Sequence, residues 1–144
     1  MKSVKETTII SGVIGHDAHF AGHFLVWRSL REAGFNSVSL GACVSQEEFI
    51  NAAIETRADA ILISSIYGMG VFDCEGLREK CNEAGLKDVL LYAGGRLTTG
   101  GWDWATIEKK FKDMGFNRVY PPDTVPATAI ADLKKDLNLV DEEK

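Results

Sequence analysis

The sequence lacks the features that mark several large classes of protein. Its three cysteines are an odd number without C-x-x-C spacing, which argues against a disulfide framework and favours a reducing, cytoplasmic setting. No apolar run is long enough to cross a membrane, and the polar N-terminus does not resemble a signal peptide. The basic residues are scattered through a chain of net charge −5, so we expect neither nucleic-acid binding nor membrane association.

What the sequence does have is the composition of one globular domain. A chain of 144 residues with 45% hydrophobic and 26% charged residues can bury a sizeable core without disulfides or metal. We expect residues 1–137 to form this domain and residues 138–144 to be a frayed tail.

Short apolar segments alternate along the chain with segments of helical periodicity. Five of the apolar segments predict buried strands, and strands that alternate with helices indicate a parallel sheet covered on both faces. The predicted fold class is therefore α/β, with a single doubly wound, flavodoxin-like or Rossmann-like, five-stranded parallel sheet flanked by helices. The predicted strands are Thr8–Ile14, Ser37–Leu40, Ala60–Ser64, Val89–Ala93 and Arg118–Tyr120.

Local signals predict several helix boundaries. Ser45 and Glu48 have the spacing of a capping box, and Pro126 suits the first turn of a final helix. The repeat of Cys74, Leu77, Cys81 and Ala84 predicts one helix whose apolar face packs inward. Glycines 34, 85 and 115 each follow a helical segment and are expected to end it.

An open parallel sheet binds ligands beyond the carboxyl ends of its strands, and the long loops of this chain lie at that edge. They carry most of the glycines and unusual polar residues, which marks the edge as the functional one. The four loops are Gly15–Gly22, Ser64–Phe72, Gly94–Asp103 and Pro121–Val125.

The first of these loops contains every histidine of the chain, namely His16, His19 and His23. Asp17 precedes His19 by two residues, and a carboxylate often holds the second ring nitrogen of a metal-binding histidine. A zinc site built from the three histidines is an alternative, although no cysteine lies nearby to complete a tetrahedral set. We expect His16 and His23 to face solvent or to begin the following helix.

The loops after the third and fourth strands can both approach a ligand closely. Ser64 and Ser65 place hydroxyls at a strand end, and the run from Gly94 to Gly101 has two pairs of glycines around two threonines. This run has neither the lysine nor the spacing of a Walker loop, and no G-x-G-x-x-G turn follows the first strand.

In this order, the three loops resemble the signature of the cobalamin-binding domain family, which is Asp-x-His-x-x-Gly, then Ser-x-Leu, then Gly-Gly. Forty-one residues separate the first part from the second, and twenty-seven separate the second from the third. Isoleucine replaces leucine in the second part. The three parts are Asp17-Ala18-His19-Phe20-Ala21-Gly22, Ser64-Ser65-Ile66 and Gly94-Gly95.

Within that family, the chain resembles the small subunits of glutamate mutases over nearly its whole length. Three stretches carry this resemblance: Phe49–Thr56, Gly76–Cys81 and Arg118–Pro122. Asp123 stands where the family usually has glycine, which puts the conformation of that turn in question.

The resemblance implies adenosylcobalamin as cofactor, with its benzimidazole tail displaced from cobalt into a slot beside the sheet. His19 would then be the lower axial ligand of cobalt, with Asp17 hydrogen-bonded to it, while Ser64 and Ile66 would line the slot. The remaining implied contacts are His16, Ala18, Phe20 and Gly22 in the first loop, Gly94 and Gly95, a wrapping loop of Arg96, Leu97, Thr98, Thr99 and Gly100, and Tyr120 and Thr124 at the rim.

The implied activity is a radical rearrangement that interconverts glutamate and 3-methylaspartate. The chain has no room for a substrate barrel, so no catalytic residue is expected on it. A large catalytic subunit would hold the amino-acid substrate, in a heterotetramer of two small and two large chains. The small subunit alone would be inactive.

Two alternatives use the same fold. A corrinoid carrier of a methyltransferase, or a subunit of another mutase, shares the signature, although carriers are often fused to a helical cap that is not found before the first strand here. A receiver-type signalling domain would need an acidic residue closing the third strand and a lysine after the fifth, where this chain has Ser64-Ser65 and Tyr120-Pro121. A flavodoxin would need a hydroxyl-rich loop after the first strand, where this chain has histidines.

Overall fold

Five strands form one sheet in the computed structural model of the chain, which describes residues 2–16 and 21–140. The strand order is β2-β1-β3-β4-β5, and every neighbouring pair is parallel. This confirms the predicted fold class and places each predicted strand within two residues of its observed bounds. The strands are β1 Thr8–Val13, β2 Asn36–Ser39, β3 Ala60–Ser65, β4 Leu90–Gly95 and β5 Arg118–Tyr120.

Six α-helices in the described part of the chain cover the two faces of the sheet. The first and the last lie on one face, and the other four lie on the opposite face. A short 3-10 turn, Val4–Glu6, precedes the first strand. The helices are α1 Ala21–Glu32, α2 Gln46–Thr56, α3 Gly70–Cys74, α4 Leu77–Glu83, α5 Trp104–Asp113 and α6 Pro126–Asp136.

Each face of the sheet has its own apolar core because successive strand residues point to opposite sides. Ile9 packs with Leu30 of α1 and Leu133 of α6 in one cluster. The next residue, Ile10, packs with Phe49 of α2 and Phe111 of α5 in the other cluster. The strands β1, β3 and β4 are buried on both faces, which explains why their segments are mostly apolar rather than alternating.

The capping box at the start of α2 is confirmed: the Glu48 N–H donates to Ser45 Oγ at 3.1 Å, and the Ser45 N–H donates to Glu48 Oε1 at 2.8 Å. The prediction of a single helix through Cys74 and Cys81 is wrong in one respect. Gly76 has a φ of 81° and divides it into α3 and α4. Cys74 and Cys81 remain fully buried, as their spacing predicts.

The order of the strands decides where a ligand can bind. From β1 the chain crosses to β2 on one side, while β3 leads to β4 and β5 on the other side. The connections therefore diverge at the carboxyl ends of β1 and β3, which opens a crevice there. No helix in residues 2–16 and 21–140 is long and apolar enough to cross a membrane.

The described chain stays in contact with the domain beyond α6. Leu139 packs against the core on the α1 and α6 face, and Val140 pairs with Ser3 beside the first strand.

Candidate functional site

A cavity of about 290 Å³ opens at the carboxyl ends of the strands, on the face covered by α1 and α6. Leu62 and Tyr92 lie at its inner end, and Leu25 and Val125 lie at its mouth, each 59% exposed. Apolar groups dominate the walls, as in most small-molecule pockets. Seven residues expected from the sequence to contact the cofactor line this cavity: Gly22, Ser64, Ile66, Gly94, Gly95, Tyr120 and Thr124.

The cavity exists because side chains become smaller toward the ends of two neighbouring strands. On this face, Leu62 is followed by Ser64 in β3, and Tyr92 is followed by Gly94 in β4. A Cβ atom added to Gly94 would lie 3.5 Å from Tyr120 Cβ, which is an ordinary contact. The protein therefore has room for a side chain at position 94, and its absence leaves open space in the cavity.

Gly95, by contrast, is required by the backbone itself. Its φ is 108°, and an added Cβ would lie 2.2 Å from the carbonyl oxygen of Ser65. Only glycine allows β3 and β4 to approach so closely at this point. The two glycines of the Gly-Gly pair thus have different roles, one in the shape of the cavity and one in the fold.

Two tyrosines form a wall of the cavity and are held from behind by α6. Tyr92 and Tyr120 pack edge to face with their ring centroids 5.9 Å apart. The Tyr92 hydroxyl donates to Asp136 Oδ2 at 2.5 Å, and the Tyr120 hydroxyl donates to Asp132 Oδ2 at 2.6 Å. Burial, followed by these carboxylates, raises the pKa of both tyrosines, so both hydroxyls stay protonated.

Arg118 completes this arrangement from β5. Its Nε donates to Asp136 Oδ2 at 2.7 Å, and its Nη1 lies 3.4 Å from Asp132 Oδ1. The guanidinium hydrogen bond lowers the pKa of Asp136, which keeps that carboxylate charged and accepting. The tyrosine wall is therefore held in place by Arg118, Asp132 and Asp136, none of which lines the cavity.

The loop after β4 packs on the loop after β3. The Gly68 N–H donates to the Arg96 carbonyl at 3.2 Å, and the Val71 N–H donates to the Leu97 carbonyl at 3.1 Å. The Leu97 side chain is 2% exposed and belongs to the core. Among the described residues, the cavity lining includes none of residues 96–100, so the structure does not bring this expected wrapping loop to the cavity.

The start of the first loop is held by two residues that the sequence analysis did not single out. The Tyr67 hydroxyl donates to Asp73 Oδ2 at 2.5 Å and accepts the His16 N–H at 3.2 Å. Gly15, with a φ of 77°, lies so close that an added Cβ would collide with both side chains. Nothing local in the sequence indicates this contact, because Tyr67 and Asp73 follow a different strand.

His23 lies in the first turn of α1, which is one of the two positions expected for it, and it does not face solvent. It is 1% exposed and lines the cavity, and its Nε2 is hydrogen-bonded to Ser39 Oγ at 2.7 Å. Burial lowers the pKa of His23 to about 4, so its imidazole is neutral near pH 7. His16, in contrast, is exposed.

Four residues of the motif lie outside the described residues: Asp17, Ala18, His19 and Phe20. The predicted cobalt ligand and its carboxylate partner are among them. Within residues 2–16 and 21–140, no group of three or more histidine, cysteine, aspartate or glutamate side chains is arranged to hold a metal ion.

Comparison with known proteins identifies the family. The B12 binding domain family model matches residues 7–120. The chain is 55% identical over 136 residues to the glutamate mutase sigma subunit of Clostridium tetani, covering 94% of this chain and 99% of the relative. It is 54% identical over 136 residues to the glutamate mutase sigma subunit of Clostridium cochlearium, with the same two coverages.

Solved structures share the fold at low sequence identity. The Methanosarcina barkeri monomethylamine corrinoid protein superposes with a TM-score of 0.74 at 22% identity, covering 92% of this chain. The chain spans 59% of the length of that protein. The receiver domain of the putative response regulator NarL from Mycobacterium tuberculosis also superposes, with a TM-score of 0.62 at 17% identity, covering 94% of this chain and 98% of that one. The fold alone therefore does not separate these functions.

The burial of His23 leads to a prediction about stability and pH. Its pKa is about 4 in the folded chain against 6.5 for the ordinary group, so the unfolded chain binds more protons between these values. His23 should therefore make its full contribution to the free energy of unfolding above about pH 6.5. This contribution should decrease as the pH falls toward 4.

This loss should approach about 1.4 kcal/mol per pH unit within that window. Urea unfolding of the wild type and of His23→Gln at several pH values measures it, because the variant lacks the titrating group. If the two stability curves stay parallel from pH 7 to pH 4, the histidine is not held neutral by burial.

Proposed function

Because this chain belongs to the B12-binding domain family and, within it, to the glutamate mutase sigma subunits, we propose that it is the cobalamin-binding subunit of a glutamate mutase. The observation that carries the proposal is the cavity. Ser64 and Ile66 of the second motif part meet Gly94 and Gly95 of the third on its lining, although they are far apart in sequence. Gly22, the last residue of the first part, lies on the same lining.

The dimensions of the cavity suit one part of the cofactor. Its volume of about 290 Å³ is just below the usual range for small-molecule pockets, which is about 300–1,000 Å³. Such a space fits the flat benzimidazole base of the cobalamin tail rather than the whole corrinoid. The apolar residues Leu25 and Val125 at the mouth are exposed and offer a surface that a bound cofactor or partner would cover.

The first loop supplies the metal ligand in this proposal. His19 would hold the cobalt in place of the benzimidazole, and Asp17 would accept a hydrogen bond from the other ring nitrogen of His19. His16, Ala18 and Phe20 flank this pair and contact the cofactor. Ser64 and Ile66 border the base, and Gly94 leaves the space that the base occupies.

The loop after β4 acts further along the tail. Arg96, Thr98, Thr99 and Gly100 contact the tail outside the cavity. Leu97 can do so only through its backbone, because its side chain is buried. Tyr120 and Thr124 border the cavity on the side of β5 and α6.

Adenosylcobalamin supplies the radical chemistry that interconverts glutamate and 3-methylaspartate, while protein supplies binding and orientation. A large catalytic subunit holds the amino acid, in a heterotetramer of two small and two large chains. This chain has no catalytic residue of its own and is inactive alone. Its residues hold the cofactor and present one face of it to the partner.

A mixing assay tests this function directly. The chain, adenosylcobalamin and glutamate should form 3-methylaspartate only when the large subunit of a clostridial glutamate mutase is added. That large subunit with its own sigma subunit is the positive control. The proposal would be contradicted if the positive control is active and the mixture that contains this chain is not. It would also be contradicted if this chain alone forms 3-methylaspartate.

The cobalt ligand can be identified by electron paramagnetic resonance of the Co(II) form. If a histidine nitrogen coordinates cobalt, labelling the protein with ¹⁵N-histidine should change each threefold nitrogen splitting of the Co(II) signal into a twofold one. A splitting that remains threefold would mean that the benzimidazole still binds cobalt.

His19→Ala should abolish the labelled splitting and weaken cobalamin binding far more than His16→Ala does. His16 is the matched control, since it is an exposed histidine of the same loop. Equal losses in the two variants would indicate a site distributed over several histidines rather than one axial ligand.

The Gly-Gly pair provides a second pair of matched variants. Gly94→Ala should keep the stability of the fold, because its Cβ meets only an ordinary contact, but should weaken cobalamin binding about tenfold by narrowing the cavity. Gly95→Ala should lower the free energy of unfolding by at least about 1 kcal/mol, because its backbone is left-handed. Urea unfolding and equilibrium titration with hydroxocobalamin measure the two effects, and wild-type affinity in Gly94→Ala would exclude the base from this cavity.

A further inference from the structure

The segment that carries Asp17 and His19 is flanked by two well-defined ends. On the β1 side, the Val13 N–H donates to the Gly41 carbonyl at 2.9 Å, and the Gly15 N–H donates to the Val44 carbonyl at 2.8 Å. These bonds tie the end of β1 to the loop that follows β2. On the α1 side, the first turn contains His23, which follows His19 by four residues in the sequence.

One short series of hydrogen bonds joins these two ends. Ser39, the last residue of β2, is bonded through Oγ to His23 Nε2 at 2.7 Å, and the same oxygen accepts the Gly41 N–H at 3.1 Å. A hydroxyl can accept one hydrogen bond while it donates another, so both contacts are satisfied together. The end of β1 is thus connected through Gly41 and Ser39 to the start of α1.

We propose that His23 is a positioning residue for the cobalamin site, and that its hydrogen bond to Ser39 fixes the first turn of α1, which lines the cavity, relative to the end of β1. This inference rests on the proposed function. His23 acts through the backbone of α1 and not as a metal ligand. A neutral imidazole suits this role, because a charged one would be costly in so buried a place.

The same strand and helix provide a matched control. Ser37 Oγ donates to the Trp27 carbonyl at 3.0 Å, one helical turn further along α1 and two residues earlier in β2. Ser37→Ala and Ser39→Ala therefore each remove one hydroxyl that joins β2 to α1. Only Ser39 is connected to the end of β1, so only its loss should alter the cofactor site.

The experiment compares four variants of the full chain: Ser39→Ala, Ser37→Ala, His23→Leu and His23→Gln. Three quantities are measured for each, namely the apoprotein Tm, the Kd for hydroxocobalamin, and the fraction of Co(II) that shows the ¹⁵N-histidine splitting. We expect Ser39→Ala and His23→Leu to weaken binding about 10–100-fold, as supporting residues of metal ligands do, and to lower the imidazole-bound fraction. His23→Gln supplies an amide Oε1 that can accept the hydrogen bond from the Ser39 hydroxyl and should restore binding to within about threefold of the wild type.

Ser37→Ala should lower the Tm about as much as Ser39→Ala but keep the wild-type Kd and splitting. The inference is overturned if both serine variants bind equally well, or if affinity follows Tm in every variant. Should His23→Leu fail to fold, the comparison of the two serine variants decides the question. A wild-type chain that binds no cobalamin would refute the proposed function itself. If the wild type binds cobalamin and Ser39→Ala binds it equally well, only the inference about His23 is refuted.

Discussion

The parallel pairing of β1 with β3 at the centre of the sheet is the interaction on which the position of the site depends. Its register runs from Ile9 opposite Ala60 to Val13 opposite Ser64. Because the chain leaves these two strands toward opposite edges, no connection within residues 2–16 and 21–140 crosses over their carboxyl ends, and a ligand can reach the backbone there. The first part of the motif follows β1, and the second and third parts lie at the carboxyl ends of β3 and β4, so this pairing and the next one bring these strand ends to a single edge.

The two faces of the sheet at this edge differ in how they are filled. On the face of α2 and α5, the core continues to the end of the strands through Ile63 and Leu97. On the face of α1 and α6, the core stops at Leu62 and Tyr92, because Ser64 and Gly94, the next residues of these strands on that face, are small. The cavity is therefore a continuation of an apolar core whose last layer of side chains is missing. A flat apolar ligand in this space would complete that layer.

Much of the fold could be predicted because local patterns carry it. The alternation of apolar strands and amphipathic helices gave the correct class, and the capping signal at Ser45 marked the start of α2. The resemblance to the family signature assigns the motif residues Ser64, Gly94 and Gly95 to one site, and the structure places them on one cavity. The positions of Asp17 and His19 fall outside the described residues, so their roles stay predictions.

What the sequence could not reveal depends on contacts between distant segments. The sequence around His23 does not mark it as buried, because its partner Ser39 lies 16 residues later, in β2. Leu97 was grouped with its polar neighbours as a cofactor contact, whereas its side chain fills the core beside Val71. Gly76 interrupts a periodic helix without altering which residues face inward, and a periodicity argument does not detect such a break.

The bracing of Tyr92 and Tyr120 by α6 has a consequence for the energetics of recognition. Both rings already have their hydroxyl partners, and both carboxylates are held by Arg118, so this wall is assembled during folding. A ligand that enters the cavity does not have to immobilise these side chains, a step that typically costs about 0.5–1.5 kcal/mol for each one. The affinity that a ligand gains from contacts with these rings is therefore not reduced by the cost of ordering them. The cavity is preorganised on that side for a rigid, flat ligand.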